Sequence, residues 1–234
     1  MSRILYYIAL VVWALGASIP SFLMSLNAFF RGDQKRNFYF WTFYNRNFCR
    51  LFFRIRFDLR TGLDANKQYI FLPNHHSSMD GCLVYLCHPV PVVALVKSSL
   101  RKIPFLGSCF EKLSFVFVDR EKKGSITDQM ITMLSQTDFS LLLFPEGTRN
   151  YEPRTLKKLR TGAFVIACTS GIPIIPIRYN LIDKVDDKKR AFYFWKKTKV
   201  IFGKEIQTKG RDVDSVMEEY RAFHDAELAN WTLD

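Results

Sequence analysis

Residues 69–80 read YIFLPNHHSSMD, an apolar run that passes through Pro73 and Asn74 into a polar turn. The apolar part, Tyr69–Leu72, has the length and composition of a buried strand. The apolar residues after Asp80 have a helical pattern. The stretch therefore predicts a loop between a strand and a helix, a place where catalytic side chains are common.

Within this loop His75 precedes Asp80 by five residues, a spacing that on a helix places two side chains ~140° apart around the axis. The pair can meet if His75 lies in the loop and Asp80 in the first helical turn. The carboxylate would then hold one imidazole nitrogen and leave the other free as a base. The alternative is that Ser77-x-x-Asp80 is a capping box and that Asp80 only caps the helix. His76 could compete as the base, but we expect it to point away as a structural or surface histidine.

Strand and helix patterns alternate along residues 58–234, after a first strand and turn at 57–62. Strands are expected at Tyr69–Leu72, Val92–Val96, Phe115–Val118, Ser140–Phe144, Ile174–Tyr179 and Lys199–Phe202. Helices are expected at Met79–Cys87, Ser99–Phe110, Ser125–Ser135, Gly162–Ser170 and Val213–Ala229. This alternation predicts one α/β domain in layers, with a largely parallel central sheet flanked by helices.

The composition narrows the classes of partner. The net charge is +12, which suits nucleic acid, an anionic membrane or a phosphorylated substrate. Nucleic acid is the weakest of these, because no nucleic-acid motif is present. The five cysteines form no Cys-x-x-Cys pair and indicate reduced thiols on the cytosolic side, and no histidine lies at zinc-ligand spacing from them. We therefore expect no metal or redox cofactor.

The N-terminal residues 1–57 predict a separate membrane-associated helical segment. No charged residue lies between Ile4 and Phe30. A helix of that length would be ~40 Å long, against a hydrocarbon core of ~30 Å, but Pro20 interrupts it. A kinked span and an insertion into one leaflet both remain open. Residues 31–60 carry eight Lys or Arg against two Asp, together with nine aromatic residues between Phe38 and Phe53. This pattern favours an interfacial helix at about 37–57 on an anionic membrane, and the alternative is that its aromatic residues pack into the core.

Further motifs follow the first one in a fixed order. They are Lys97–Gly107 (KSSLRKIPFLG), Phe115–Arg120 (FVFVDR), Phe144–Arg149 (FPEGTR), Leu159–Phe164 (LRTGAF) and Gly171–Ile177 (GIPIIPI). With the His75/Asp80 motif, this series resembles the glycerolipid acyltransferase family over about residues 62–206. The closest likeness is to the 1-acyl-sn-glycerol-3-phosphate acyltransferases, so residues 58–234 are expected to form the acyltransferase domain.

The resemblance implies roles for particular residues. It makes His75 the general base, oriented by Asp80, in a direct transfer without an acyl-enzyme. It places acceptor binding at Arg120, Glu146, Gly147, Thr148 and Arg149. Arginine can grip a phosphate with two hydrogen bonds, and Lys97 and Arg160 are candidates to add positive charge. We expect Gly147 to let the backbone approach the ligand, and Glu146 to hold a glycerol hydroxyl or to fix an arginine. Pro173 and Pro176 either belong to the acyl site or only shape an edge strand.

The expected reaction is transfer of an acyl chain from a thioester to the sn-2 hydroxyl of 1-acyl-sn-glycerol 3-phosphate, which forms phosphatidic acid. The donor could be acyl-coenzyme A or acyl-acyl carrier protein. The expected partners are a lysophosphatidate-type lipid and an anionic membrane surface, with the active site on the cytoplasmic side. Alternatives are acylation of another lyso-lipid, such as a lysophospholipid or lyso-ornithine lipid, and a non-catalytic lipid-binding protein. A hydrolase would need a nucleophile that the sequence does not supply.

Overall fold

The computed structural model describes residues 3–9, 11–12, 23, 33–52, 63–77, 80, 90–102, 106–113, 115–118, 126–152, 155–179, 185–186, 189–192 and 200–229. The strand and turn expected at 57–62 lie outside the described residues. So do Arg120 and, apart from Asp80, the helix expected at 79–87.

The described strands form one large sheet and one small one. They are β1 (Ile70–Pro73), β2 (Val92–Lys97), β3 (Val116–Val118), β4 (Ser140–Leu142), β5 (Ile174–Tyr179), β6 (Val185–Asp186), β7 (Ala191–Phe192) and β8 (Val200–Phe202). The large sheet has the order β3-β2-β4-β1-β5-β8, and β6 pairs with β7. All neighbours in the large sheet are parallel except β5 and β8, which are antiparallel. The largely parallel sheet predicted from the sequence is confirmed.

Strand β1 is central because it pairs with β4 on one side and with β5 on the other. In the parallel strands β1, β2, β3, β4 and β5 the carboxyl ends all meet the same edge of the sheet. Strand β5 lies between β1 and β8 and is not an edge strand, so the edge-strand explanation for its prolines is wrong.

The described helices are α1 (Gln34–Phe52), α2 (Leu106–Lys112), α3 (Ile126–Gln136), α4 (Gly162–Ser170) and α5 (Val213–Ala229). The bounds predicted for α4 and α5 agree with the structure, and those of α3 differ by one residue. The single helix expected at Ser99–Phe110 is instead a 3₁₀ turn, Ser98–Lys102, followed by α2. Pro104 lies between the two, and its ring and missing amide hydrogen do not fit a helix interior.

Helices α3, α4 and α5 cover one face of the sheet. Successive strand residues point to opposite faces, and Ile70 and Leu72 of β1 pack on this side. They share a core with Leu134 of α3, Phe164 of α4 and Tyr220 of α5. Their burial stabilises this layer of the domain.

Helix α1 covers the opposite face, where Phe71 of β1 points. Its Phe38 and Trp41 are almost fully buried and belong to the core on this side. Tyr39 and Phe43 of the same helix are exposed. The core-packing alternative is therefore correct for one side of α1, while the other side presents aromatic rings to the surroundings.

The N-terminal residues 3–9 and 11–12 are helical and pack Tyr6 and Ala9 into the same core. Within the described part of the chain, no helix combines the length and the apolar character that a membrane crossing requires. The membrane role expected of residues 1–57 remains a prediction.

Candidate active site

The predicted site residues follow the carboxyl ends of neighbouring parallel strands. His75 comes two residues after β1, Lys97 is the last residue of β2, and the turn 144–150 follows β4. Because β2, β4 and β1 are adjacent in the sheet, these segments lie at one edge of it. Ligand sites in open α/β sheets form at this edge.

His75 and Asp80 are in direct contact. His75 Nδ1 lies 2.9 Å from Asp80 Oδ2. The Asp80 side chain is fully buried, whereas the His75 side chain is 22% exposed. With Asp80 ionised, the Nδ1–H group donates a hydrogen bond to the carboxylate. Nε2 then carries no hydrogen and can accept a proton. The contact that the sequence allowed, with His75 in the loop and Asp80 at the start of the helix, is present.

Asp80 also caps the chain, so the two interpretations of this residue are compatible. Its Oδ2 accepts hydrogen bonds from the backbone amides of Ser77, at 2.7 Å, and of His76. The Asp80 amide donates to the Ser77 carbonyl. The hydrogen bond from the Ser77 amide to the Asp80 side chain is one of the two bonds that define a capping box. One carboxylate oxygen thus receives three donors and fixes both the loop and the imidazole.

His76 is a buried structural histidine. Its side chain is 1% exposed, and Nδ1 lies 2.7 Å from the Asn150 carbonyl oxygen. The structural interpretation is supported and the surface one is wrong. His76 links the loop after β1 to the turn after β4.

The backbone of His75 is fixed at both ends by the turn after β4. Its amide donates to Glu146 Oε1 at 2.8 Å, and its carbonyl accepts from the Asn150 amide at 2.7 Å. The imidazole ring stacks on Phe144, with ring centroids 4.2 Å apart. These contacts restrict both the position and the orientation of the proposed base.

Both carboxylate oxygens of Glu146 accept hydrogen bonds from backbone amides in this structure. Its Oε2 accepts from the Lys157 amide at 3.0 Å, while Oε1 accepts from His75, and the residue is only 3% exposed. The carboxylate therefore joins the His75 loop to the segment 155–160. A contact with the acceptor, as the resemblance implies, would have to share or replace one of these bonds.

Gly147 permits a close approach, but the approaching group is a side chain. Its φ is +65°, and a Cβ atom there would come within 2.6 Å of Arg160 Nε. The Arg160 amide also donates to the Pro145 carbonyl at 2.8 Å. Any larger residue at 147 would displace the arginine as well as strain the backbone. Arg160 is thus held beside the turn 144–150.

The remaining predicted binding residues that the structure describes are at the surface. Thr148, Arg149 and Lys97 are all exposed. The Arg149 guanidinium lies over the Tyr151 ring, 5.7 Å from its centroid. The Arg160 side chain lies against Gly147, two residues before Arg149 in the turn, and Lys97 lies at the end of β2, which pairs with β4.

Sequence reasoning missed Asn150 and Phe144. Asn150 is 5% exposed, and its Oδ1 accepts from the Glu152 amide at 3.1 Å, while Nδ2 donates to Thr155 Oγ1 at 2.9 Å. An asparagine that bonds two residues ahead forms an Asx turn. An Asn directly after a turn was the available signal, whereas nothing in the sequence marked the stacking of Phe144.

A second buried polar cluster lies where α5 meets β5. Arg178 is 3% exposed, and its Nη1 lies 3.4 Å from His224 Nδ1. Burial, followed by the charge of Arg178, lowers the pKa of His224 well below 6.5. His224 is therefore neutral, and Nδ1 can accept from the guanidinium.

Comparison with known proteins identifies relatives of this chain. Residues 54–180 match the family model described as acyltransferase. A Caenorhabditis elegans protein provisionally named 1-acyl-sn-glycerol-3-phosphate acyltransferase is 29% identical over 196 residues, 75% of this chain and 72% of that protein. The 1-acyl-sn-glycerol-3-phosphate acyltransferase of Haemophilus influenzae is 36% identical over 112 residues, 46% of each chain. The chain thus matches about half of the length of this bacterial relative.

A solved structure has the same fold. The crystal structure of the 1-acyl-sn-glycerophosphate acyltransferase from Thermotoga maritima aligns with a TM-score of 0.74 over 100% of both chains. The sequence identity is 18%, so this likeness concerns the fold.

The bonds of Glu146 generate a first prediction. In Glu146→Gln the new NH₂ group must face the amide of either His75 or Lys157, which leaves one buried donor without an acceptor. We expect a loss of about 1–3 kcal/mol in the free energy of unfolding, measured by denaturant titration. Glu152→Gln, which changes an exposed acid just after the turn 144–150, should leave stability unchanged. Unchanged stability in Glu146→Gln would contradict the backbone role.

Proposed function

The chain belongs to the acyltransferase family, and we propose that it transfers a fatty acyl chain from an acyl thioester to the sn-2 hydroxyl of 1-acyl-sn-glycerol 3-phosphate. The product would be phosphatidic acid. The observation that carries this proposal is the 2.9 Å contact of His75 with Asp80 at the carboxyl edge of the sheet. The names of the relatives support the choice of acceptor.

The proposed mechanism starts with His75 as the general base. Its Nε2 takes the proton of the acceptor hydroxyl while that oxygen attacks the thioester carbonyl carbon. Asp80 stabilises the imidazolium that forms, as in a catalytic triad without the serine. The tetrahedral intermediate then collapses, the carbon–sulfur bond breaks, and the imidazolium returns the proton to the departing thiolate. No metal or redox cofactor takes part in this proposed sequence.

Positive charge near His75 supports a phosphorylated acceptor. Arg149 is the residue before Asn150, whose amide donates to the His75 carbonyl. Arg160 lies against Gly147 in the same turn. A phosphate monoester bound by these guanidinium groups would be close to the base, and Lys97 would add charge from the end of β2. For Arg120 the proposed role is acceptor binding, as the family resemblance implies.

We also propose that the protein works at a membrane surface, with its active site on the cytoplasmic side. The N-terminal helical residues expose Ile4, Tyr7, Ile8 and Val11, a spacing that puts them on one side of a helix. Phe43 of α1 is 63% exposed. Exposed apolar side chains, together with the four Lys or Arg residues of α1, suit an interfacial position on anionic lipid.

The role of His75 is tested by His75→Ala. Because a positioned acid–base group contributes ~10²–10⁴-fold, we expect the turnover of acyl-coenzyme A with lysophosphatidate to fall at least 100-fold. Thiol release from the purified protein in detergent reports the rate. His76→Ala should lower stability through the lost Asn150 contact, and its loss of turnover should be smaller. Turnover of His75→Ala above about a tenth of wild type would rule out His75 as the general base.

Phosphate recognition is tested by Arg149→Ala. Loss of a charge-assisted hydrogen bond of about 1.5–3 kcal/mol should raise the KM for lysophosphatidate at least tenfold, with little change in the KM for the thioester. Arg149→Lys should recover only part of the affinity, because lysine lacks the planar fork. Arg211→Ala, which removes a guanidinium bonded to Glu219, serves as the control. An equal rise in both KM values would refute a role of Arg149 that is selective for the acceptor phosphate, and a rise for the thioester alone would assign Arg149 to the donor side.

Membrane attachment is tested with vesicles that contain anionic lipid. The double variant Ile8→Ser, Phe43→Ser removes apolar area from the proposed contact surface and should weaken cosedimentation at high salt. Salt screens charge attraction but not apolar burial, since the Debye length is about 3 Å at 1 M. Tyr151→Ser, an exposed aromatic residue outside this surface, is the matched control. Equal binding of all three proteins would refute the proposed contact surface.

A further inference from the structure

The carboxylate of Asp80 is satisfied on one oxygen only. Oδ2 accepts from His75 Nδ1 and from the amides of His76 and Ser77. Oδ1 is buried and has no hydrogen-bond partner among the described residues. A buried charged oxygen without a donor is costly, and such atoms in native proteins normally have a partner nearby.

Tyr179 supplies a second buried group without a partner. The residue is 1% exposed, and its Oη likewise lacks a hydrogen-bond partner within the part of the chain that the structure describes. A buried phenol hydroxyl usually donates to an acceptor. A buried donor and a buried acceptor are thus both unused at the same end of the sheet.

The fold brings these two groups together. Pro73 of β1 is opposite Ile177 of β5 in the parallel register, so Tyr179, two residues further, is level with His75. Asn74 fixes this arrangement, because its Nδ2 donates to the Tyr179 carbonyl and its Oδ1 accepts from the Tyr179 amide, both at 2.9 Å. The residue before the proposed base therefore holds the backbone of Tyr179 in place.

We propose that Tyr179 is a positioning residue whose hydroxyl donates a hydrogen bond to Asp80 Oδ1. This bond keeps the carboxylate ionised and oriented toward His75. This hydrogen bond gives both buried atoms, Tyr179 Oη and Asp80 Oδ1, the partner that each lacks. The inference rests on the proposed acyl transfer, since it deepens the role of the His75/Asp80 pair. Through Tyr179, its last residue, strand β5 then influences how tightly the His75/Asp80 pair holds its proton.

The electrostatics at Tyr179 agree with this arrangement. Burial, followed by the charge of Asp80, raises the pKa of Tyr179 well above 10, so the phenol keeps its proton. Glu146 and Tyr220 also act on this group. Neither competes for the phenol proton, because both oxygens of Glu146 accept from backbone amides and Tyr220 Oη donates to the Leu72 carbonyl at 3.3 Å.

The test is Tyr179→Phe in the full-length protein, followed through the pH dependence of kcat/KM. A carboxylate that loses a donor holds a proton more tightly, and so does the histidine beside it. The His75/Asp80 pair therefore loses its proton at higher pH. The acid limb of the kcat/KM profile, where activity rises with pH, should move up by about one pH unit. Tyr220→Phe removes a buried hydroxyl that bonds to backbone and is the matched control.

Two further measurements separate positioning from packing. Site-specific 3-fluorotyrosine at position 179 is a stronger donor and should move the acid limb to lower pH. The His75 imidazole, followed by NMR, should titrate at higher pH in Tyr179→Phe, and this readout does not require acyl transfer. An unmoved acid limb and His75 titration in Tyr179→Phe, or an equal shift in Tyr220→Phe, would overturn the inference. An inactive wild-type protein with the expected NMR shift would refute the proposed reaction alone.

Discussion

The buried carboxylate of Asp80 is the contact on which the geometry of the site depends. A single oxygen holds the imidazole of His75 and two backbone amides of the loop. Fixing the loop and orienting the His75 imidazole are therefore one interaction. Loss of the charge would leave three donors competing for a weaker acceptor, and buried amides without an acceptor cost free energy. The orientation of His75 and the local stability of the loop therefore depend on the same residue.

The sheet provides the frame in which this contact is useful. Strands β4 and β5 flank β1, and each sends polar groups across to the His75 loop. The turn after β4 supplies Glu146 and the Asn150 backbone, and Asn74 bonds to the end of β5. The His75 loop is thus held from both neighbouring strands. A change in the turn 144–150 would reach His75 through the backbone even if it touched no substrate.

The sequence predicted the local elements well and the long-range contacts poorly. Helix α4 and strand β5 had correct bounds, because Gly and Pro residues mark their ends. The His75/Asp80 contact was predictable because only five residues separate a loop residue from one at the start of the predicted helix. The two bonds of Glu146 and the position of Tyr179 depend on strand register, which joins residues far apart in the chain. Composition indicated an aromatic helix at α1, but only packing decides that Trp41 is buried while Phe43 is exposed.

The central place of β1 has a consequence for the order in which the chain acquires its shape. His75 is 71 residues from Glu146, and Asn74 is 105 residues from Tyr179. During synthesis the first strand has neither lateral partner until much of the domain has left the ribosome. Long-range parallel pairing is intrinsically slow, and unpaired apolar strands associate readily. The nascent chain therefore passes through a period in which an apolar strand is exposed and His75 lacks the contacts that hold it. Those contacts can form only after β4, the turn that follows it and β5 have been synthesised.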